Sequence, residues 1–399
     1  MTSFCGLCEE KFNFGEEMND ISAIDHVTDE ALASARIVGT VVLITRDGEL
    51  RYSRAAGLAD REAGRPMVLD TLFRLASLTK PIVTTAAMIL MERGQISLED
   101  PVTRWLPDFR PALTNGERPP ITLRQLLTHT SGLNYGFLQP SGSDYQRAGI
   151  SDGLDTPGRS LADNLARLAS VPLMFRPGEG WQYSLALDVL GAVIEQVTGQ
   201  PLPEAVKQLV TAPLEMTDTD FTVRDASRLA AVYADGPEQP VLMADPQIVP
   251  FADSAGIVFS PSRVYNLDSY PSGGTGLVGS APDFLRFLET IRRGGGSLLK
   301  PETAAAMMSN QIGNLVVSAR GLGWSFGFGA ALVEDREQAN TPQSSGTWGW
   351  GGVYGHSWFV DPVKKLTVIG LTNTAVEGMS GRFPSELMKA VYSSIQLAG

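Results

Sequence analysis

Histidine is scarce in this chain of 399 residues, which contains only His26, His129 and His356. Hydrolases with a serine nucleophile commonly deprotonate it with a histidine and hold it in a Gly-x-Ser-x-Gly elbow. No such elbow occurs in the sequence. If the protein uses a serine nucleophile, the sequence therefore favours a base other than histidine.

Cysteine is scarcer still, since Cys5 and Cys8 are the only two in the chain. Both lie at the extreme N-terminus, so they cannot crosslink the fold, and a zinc site would need further ligands nearby. Metal binding by this pair competes with the simpler interpretation of an unstructured end. We expect residues 1–20 to form a poorly ordered N-terminal extension.

Concentrated runs of Lys or Arg are also missing, and acidic residues outnumber basic ones by 44 to 32. The net charge of -12 argues against nucleic acids and anionic membranes as partners. No stretch is an uninterrupted apolar span of membrane length. The beginning of the chain lacks the apolar core of a secretory signal and carries acidic residues instead, namely Glu9, Glu10, Glu16, Glu17 and Asp20. We expect a cytoplasmic protein.

Strand patterns occur near both ends of the chain. Residues 39–57 predict two strands joined at Asp47-Gly48, a pair that favours a tight hairpin turn. Residues 322–335 alternate glycine with large apolar residues, and residues 357–374 predict a second hairpin that turns at Asp361-Pro362. Helical patterns over about 24–36 and 384–395 are placed to cover one face of the resulting sheet.

The middle of the chain predicts helices separated by loops rich in Gly, Pro, Ser and Asp. The segments with helical length and periodicity are residues 82–92, 123–127, 161–168, 186–196 and 282–291. Ser280 is the predicted cap of the last of these helices, with Pro282 and Asp283 in its first turn.

Together these patterns predict a mixed α/β fold of the α+β type, with an antiparallel sheet built from both chain ends, flanking helices and a largely helical insertion. We expect one domain over residues 21–399. Its sheet part would comprise about 21–75 and 315–399, and its mainly helical part about 76–314. A cleft is expected where the two parts meet.

Ser77 and Lys80 are the first candidates for chemistry. Three-residue spacing at a helix start puts both on one face, where free backbone N–H groups and a positive field are available. To act as a base near pH 7, the Lys80 ammonium must lose its proton, and burial among Phe73, Leu75 and Ile82, or a cationic neighbour, would lower its pKa. The alternative is that Ser77 caps the helix and Lys80 is solvated.

Tyr183 lies just ahead of an amphipathic helix that ends at Gly199. A tyrosine at such a junction can reach into a cleft and pass a proton between a serine and a leaving group. The alternative is a simple packing role.

Trp350-Gly351-Gly352-Val353 opens a predicted strand whose small residues would let a ligand lie against the backbone. The N–H groups of Ser77 and Val353 are candidates for an oxyanion hole. The alternative is a glycine-rich strand entry with aromatic residues in the core.

Five motifs, taken in order, resemble those of one family. They are SLTK at 77–80, LLTHTSGL at 126–133, WQYS at 181–184, YPSGGTGLVGSAPDFLRF at 270–287 and WGGVYGHSWF at 350–359. The resemblance is to the class C β-lactamases and their esterase relatives, the family VIII carboxylesterases, and it runs from about residue 25 to the C-terminus. It implies a β-lactamase/transpeptidase-like fold and no metal or other cofactor.

The resemblance also implies roles for individual residues. By matching the family motifs, Ser77 would be the nucleophile, Lys80 its adjacent base, and Tyr183 the tyrosine that completes a Ser-Lys-Tyr set. Tyr135 matches an active-site tyrosine of the esterase branch and is a candidate for substrate binding.

Two departures from the β-lactamase pattern bear on the substrate. Trp350-Gly351-Gly352 stands where that pattern has Lys-Thr-Gly, and Leu185 stands where it has the Asn of Tyr-x-Asn. An indole and an alkyl chain therefore replace a cation and an amide that would bind the carboxylate and the amide group of a β-lactam. The site becomes apolar, and the esterase branch shows Trp-Gly-Gly at this position.

The sequence therefore predicts a serine carboxylesterase for short-chain esters, a small-molecule enzyme with Trp350 and Trp358 near the alcohol group. Weak activity on cephalosporins or as a deacetylase would fit. A β-lactamase, D-amino-acid peptidase or acyltransferase of the same fold is the alternative. A binding or sensor module that acylates without turnover is a more remote one.

Overall fold

The computed structural model of the protein describes residues 21–396. The N-terminal extension predicted over residues 1–20, with Cys5 and Cys8, lies outside the described residues, as do residues 397–399.

The strands of the described chain are mostly short. They are β1 (Gly39–Arg46), β2 (Glu49–Asp60), β3 (Arg65–Pro66), β4 (Leu72–Arg74), β5 (Tyr233–Ala234), β6 (Val241–Leu242), β7 (Gln247–Val249), β8 (Ile257–Phe259), β9 (Val278–Ser280), β10 (Trp324–Phe326), β11 (Ala331–Val333), β12 (Trp348–Gly352), β13 (His356–Asp361) and β14 (Leu366–Thr372).

One large antiparallel sheet organises the fold, with the strand order β10-β11-β12-β13-β14-β1-β2-β3. Strand β1 pairs with β14 from Thr40 to Arg46, so the sheet is built from both ends of the chain. The two predicted hairpins are present, β1-β2 turning at Asp47 and Gly48, and β13-β14 turning after Asp361. The predicted fold class is confirmed.

The helices lie on both sides of this sheet and in the segment between its two halves. They are α1 (Ser22–Ala33), α2 (Thr79–Glu92), α3 (Leu123–Leu127), α4 (Asp144–Arg147), α5 (Leu161–Ser170), α6 (Ala186–Thr198), α7 (Leu202–Val206), α8 (Ala281–Arg292), α9 (Pro301–Met307), α10 (Glu377–Ser380) and α11 (Arg382–Gln396). Each helical segment predicted from periodicity corresponds to one of them.

Strand β1 is buried along nearly its whole length because helices cover both faces of the sheet. On one face, α1 and α11 form an apolar cluster with Val42, Ile44 and Val368. On the other face, α8 contacts β1 and β14, and Leu43 and Ile369 join the main core. Burial on both faces explains why residues 39–46 form an almost continuous apolar run.

The segment between the two halves of the sheet is less purely helical than the sequence predicted. It contains three small antiparallel pairs, β4-β9, β5-β6 and β7-β8. Strands of two or three residues are too short to show a period-two pattern, so no periodicity in the sequence indicates them. The predicted boundaries of the sheet part and the helical part stay a proposal.

Ser280 is the N-cap residue of α8, as predicted, but its hydroxyl makes no capping hydrogen bond. The Asp283 carboxylate in the first turn instead accepts hydrogen bonds from the backbone of Asp218 and the hydroxyl of Thr219. The start of α8 is thereby tied to the loop beside it. Within residues 21–396, no helix is both long enough and apolar enough to cross a lipid bilayer.

We expect Ile369→Ala to lower the free energy of unfolding by about 2–5 kcal/mol, because the side chain is fully buried in the central strand β14. Val363→Ala in the turn before β14 is the control, since Val363 is 67% exposed and its loss should change stability by about 0.5 kcal/mol or less. Thermal or urea unfolding measures both. Equal effects of the two substitutions would contradict this assignment of the core.

Candidate active site

Ser77 lies in a single 3₁₀ turn, Ala76–Leu78, between strand β4 and helix α2. The residue before it, Ala76, has a φ of 46°, a left-handed conformation that costs a residue with a Cβ roughly 1–2 kcal/mol. Such strain persists only where the surrounding structure enforces it. Ala76 and Ser77 are both buried, and Ser77 contributes to the wall of a cleft.

Lys80 lies in the first turn of α2, and its side chain has no solvent exposure. Its Nζ donates to Tyr135 Oη and to the carbonyl oxygen of Gly274, both at 2.9 Å, and lies 3.3 Å from Ser77 Oγ. A neutral amine has two N–H donors and one lone pair. The bonds to Tyr135 and Gly274 would therefore leave the lone pair to face the Ser77 hydroxyl.

The charge state of Lys80 follows from its surroundings. Burial lowers the pKa of Lys80 from its usual 10.5 to about 7, while the charge of the nearby Asp188 carboxylate acts in the opposite direction and raises it. Near pH 7 a substantial fraction of the side chain is therefore the neutral amine. Burial was one of the two causes expected from the sequence for a lowered Lys80 pKa, and it is the dominant one.

Tyr183 precedes α6 and approaches Ser77 from the other side. Its hydroxyl donates to Ser77 Oγ at 2.7 Å, and the indole Nε1–H of Trp350 donates to Tyr183 Oη at 3.1 Å. Burial raises the pKa of Tyr183 above its usual range, against smaller lowering effects of these two hydrogen bonds. The phenol is therefore protonated at neutral pH.

Asp188 was not identified from the sequence as a functional residue. It lies on α6, and only 1% of the residue is exposed to solvent. Its Oδ1 accepts a hydrogen bond from the backbone N–H of Gly274 at 3.5 Å. Burial raises the pKa of Asp188, and the Ser272 hydroxyl and the charge of Lys80 lower it. The signal in the sequence that could have identified Asp188 was a single acidic residue among the apolar residues of helix α6.

Gly274 was also missed, although it lies within a quoted motif. A Cβ at this position would stand 2.8 Å from Tyr135 Oη and 3.4 Å from Lys80 Nζ. Glycine therefore lets the backbone carbonyl come within hydrogen-bond distance of the lysine.

Tyr135 is completely buried beside the lysine, and its ring stacks on Phe137 with centroids 4.6 Å apart. Its hydroxyl accepts from Lys80 Nζ. The structure thus places Tyr135 against Lys80, and its predicted contact with substrate stays a prediction.

Strand β12 carries the Trp350-Gly351-Gly352 motif past the Ser77 turn. It pairs with β13 throughout, but with β11 only through Trp348 and Gly349. A Cβ on Gly352 would stand 2.8 Å from the carbonyl oxygen of Leu75, so glycine permits the close packing of strand and turn. Val353, which follows β12, lines the same cleft as Ser77, and its role in an oxyanion hole stays a prediction.

The cleft beside Ser77 has a volume of about 640 Å³, large enough for a small ester. Aromatic side chains form much of the wall near Ser77, namely Phe137, Tyr183, Phe251, Trp324 and Trp350. Trp358 also contributes to the wall, and its ring packs edge-to-face against Trp348 and Phe284. Its contact with an alcohol group stays a prediction.

His129 packs against this group, with its ring centroid 4.8 Å from that of Tyr183. Its Nδ1 shares a hydrogen bond with Ser184 Oγ, and burial holds the pKa of His129 well below its usual value. It therefore packs as a neutral ring. In the described part of the chain, no three His, Cys, Asp or Glu side chains are grouped as metal ligands would be.

The structure thus brings Ser77, Lys80 and Tyr183 into direct contact. Such an arrangement places the serine hydroxyl within hydrogen-bond distance of both a neutral amine and a protonated phenol. These groups can activate a nucleophile and protonate a leaving group.

Comparison with known proteins finds similar chains. The family model described as Beta-lactamase matches residues 24–392. Esterase EstB of Burkholderia gladioli is 54% identical over 372 residues, which cover 93% of this chain and 94% of the relative. Lovastatin esterase of Penicillium rubens is 29% identical over 380 residues, covering 87% of this chain and 91% of the relative.

A solved structure gives a similar result. It is described as EstCE1, a hydrolase with promiscuous acyltransferase activity, and it superposes with a TM-score of 0.89 at 46% identity. The match covers 93% of this chain and 98% of the solved one.

We expect the reaction of Ser77 with a fluorophosphonate probe to slow as the pH falls below about 7, because protonation of Lys80 removes the base. At pH 5 the second-order rate constant should be roughly a hundredfold below its plateau at high pH. Labelling followed by mass spectrometry measures this rate. A rate that does not vary between pH 5 and pH 9 would contradict a lysine base with this pKa.

Asp188→Asn should move this pH dependence to lower pH. The Asp188 carboxylate raises the pKa of Lys80, so its removal lets the amine stay neutral in more acidic solution. Asp163→Asn is the matched control, because Asp163 lies on the surface of α5 and pairs with Arg167. A midpoint that stays in place, or moves to higher pH, would contradict the assignment that the Asp188 charge raises the pKa of Lys80.

Proposed function

This chain belongs to the beta-lactamase family, and from that premise we propose that it is a serine carboxylesterase that hydrolyses short-chain esters through an acyl-enzyme on Ser77. The esterase relative that is 54% identical along nearly the whole chain supports hydrolysis of carboxylic esters. The solved hydrolase at 46% identity supports it as well. The preference for short chains and the roles of individual residues rest on the site alone.

One observation carries the proposal. Ser77 Oγ lies 2.7 Å from Tyr183 Oη and 3.3 Å from Lys80 Nζ, at the wall of an aromatic cleft. A serine beside a neutral amine is a better nucleophile than a free serine because its proton has an acceptor.

In the acylation step, Ser77 Oγ attacks the ester carbonyl and its proton passes to the neutral amine of Lys80. The Tyr183 hydroxyl donates its proton to the oxygen of the departing alcohol. The Lys80 ammonium then returns a proton to the Tyr183 phenolate. The enzyme is left with a neutral lysine, a neutral phenol and an acyl group on Ser77.

In the deacylation step, a water molecule takes the place of the alcohol, and the proton transfers of the acylation step occur in reverse order. The Tyr183 and Lys80 pair accepts a proton from the attacking water, and Ser77 Oγ recovers a proton as the acid leaves. Because the same two groups serve both steps, no metal or other cofactor enters the proposed reaction.

We assign the oxyanion of both steps to the backbone N–H groups of Ser77 and Val353. Both residues line the cleft, and strand β12 contacts the turn that carries Ser77. Two such donors aimed at a developing negative charge contribute several kcal/mol to acyl transfer.

The nature of the cleft wall favours an ester over a β-lactam. Trp350 presents an indole where the β-lactamase pattern has a lysine, and its N–H is already engaged by Tyr183. In this proposal, the substrate lies against Trp350 and the backbone of Gly351 and Gly352. Tyr135 and Trp358 would act on the substrate less directly, Tyr135 through Lys80.

Acyl transfer to an alcohol instead of water is the second candidate function. The solved relative with promiscuous acyltransferase activity favours it, because an acyl-enzyme in an apolar cleft can react with a bound alcohol. The cytoplasmic location expected from the composition also remains a proposal, which cell fractionation would test.

We expect Ser77→Ala to reduce the hydrolysis of a 4-nitrophenyl butyrate ester by about a thousandfold or more, because the acyl group then has no acceptor. Ser53→Ala is the control, since Ser53 is exposed on β2. The assay also includes a triglyceride, a chromogenic cephalosporin and an added short-chain alcohol as acyl acceptor.

Wild-type protein should turn over the butyrate ester far more efficiently than the cephalosporin. Equal rates for wild type and Ser77→Ala would refute the proposed nucleophile. Cephalosporin turnover as efficient as ester turnover would favour a β-lactamase. A stable adduct on Ser77 without product release would favour the sensor function.

A further inference from the structure

Arg320 lies in the loop between α9 and β10 and holds its guanidinium group against two indoles. The guanidinium carbon is 5.0 Å from the ring centroid of Trp324 and 5.1 Å from that of Trp350. Cation–π contacts of this kind leave the guanidinium N–H groups free to donate hydrogen bonds. The side chain is exposed to solvent within the cleft.

The cleft is otherwise uncharged, although the protein as a whole is acidic. Among the described residues that line it, Arg320 is the one with a formal charge. No carboxylate within residues 21–396 forms an ion pair or a hydrogen bond with it. Most other arginines on the surface of this protein pair with an acid, as Arg176 pairs with Glu117. The guanidinium of Arg320 is thus positioned by aromatic rings and has no anionic partner of its own.

Trp350 connects this cation to the reactive group. One indole face lies beside Arg320, while the indole N–H donates to Tyr183, whose hydroxyl contacts Ser77. The cation therefore lies across a single indole from the Ser-Lys-Tyr group. An anion bound by Arg320 would be separated from the reacting carbonyl by a spacer that spans the Trp350 ring.

We propose that Arg320 binds a carboxylate of the substrate, so that the preferred substrates are esters that also carry a carboxylate at the far side of the Trp350 ring. This inference rests on the proposed esterase function and specifies its substrate class. It changes the expectation of a purely neutral ester, because the cation missing from strand β12 is supplied by a different part of the chain.

The geometry favours a carboxylate in particular. A guanidinium donates two parallel N–H groups to the two oxygens of one carboxylate, and such charge-assisted pairs are stronger than neutral ones. The aromatic walls exclude part of the solvent, which strengthens the attraction further. Because the rings already hold Arg320 in place, little side-chain entropy remains to be lost on binding.

The test compares esters that differ only in a carboxylate or a primary amide at one position. In one pair the group is on the alcohol side, 4-acetoxybenzoate against 4-acetoxybenzamide. In the other it ends the acyl chain, the mono-4-nitrophenyl ester of adipic acid against that of its monoamide. For each pair, the ratio of kcat/KM for the carboxylate to that for the amide is measured in wild type and in Arg320→Gln.

We expect this ratio to fall by about 10- to 100-fold in Arg320→Gln for at least one pair, through a higher KM for the carboxylate ester. The pair that responds identifies the side of the ester that faces Arg320. Arg320→Lys should retain part of the preference, and added salt should weaken it in wild type. Arg104→Gln is the matched control, because Arg104 lies over Trp105 at 5.1 Å but outside the cleft.

An unchanged ratio in both pairs, or an equal loss for carboxylate and amide esters, would show that Arg320 only covers the indoles and would overturn the proposal. Failure of the esterase function itself gives a different result. In that case wild-type protein would not hydrolyse the amide-bearing esters in a Ser77-dependent manner, whatever residue occupies position 320.

Discussion

Burial of the Lys80 amine is the constraint on which the site depends. Holding this group near neutrality at pH 7 corresponds to about 5 kcal/mol against the charged form relative to a lysine in water. This effect arises because the first turn of α2 lies inside the core, while Tyr135 Oη and the Gly274 carbonyl accept the two N–H groups of the neutral amine. The charge of Asp188 keeps the pKa from falling further. A serine next to this amine needs no histidine, which agrees with the neutral, buried state of His129.

The same packing that buries Lys80 also defines the cleft. Tyr183 closes the site over the lysine, with Nζ 4.6 Å from its ring centroid, and Trp350 closes over Tyr183 through its indole N–H. The Arg320 guanidinium in turn lies over the Trp350 ring. Polarity therefore changes from the neutral amine at the base, through aromatic rings, to one cation near the mouth. An ester with its reactive carbonyl at the base and a carboxylate near the mouth would match this order.

Much of the fold could be predicted because its signals are local. The tight turn at Asp47-Gly48, the apolar run of β1 and the periodicity of α2 and α6 are each contained in one segment. Ser77 and Lys80 could be paired for the same reason, since one helical turn fixes their distance. Asp188, Gly274 and Arg320 could not be linked to the site, because they come from distant segments that only tertiary packing brings together. The small pairs such as β4-β9 were missed because two or three residues carry no periodicity.

A direct titration of the Lys80 amine is the most decisive measurement. The chain has only seven lysines, so protein labelled with ¹³C at the lysine ε-carbon gives few NMR signals, and the signal lost in Lys80→Arg identifies Lys80. We expect this signal to titrate near pH 7. A Lys80 signal that titrates near the ordinary lysine pKa of 10.5 would contradict a neutral lysine base and the activation of Ser77 that follows from it.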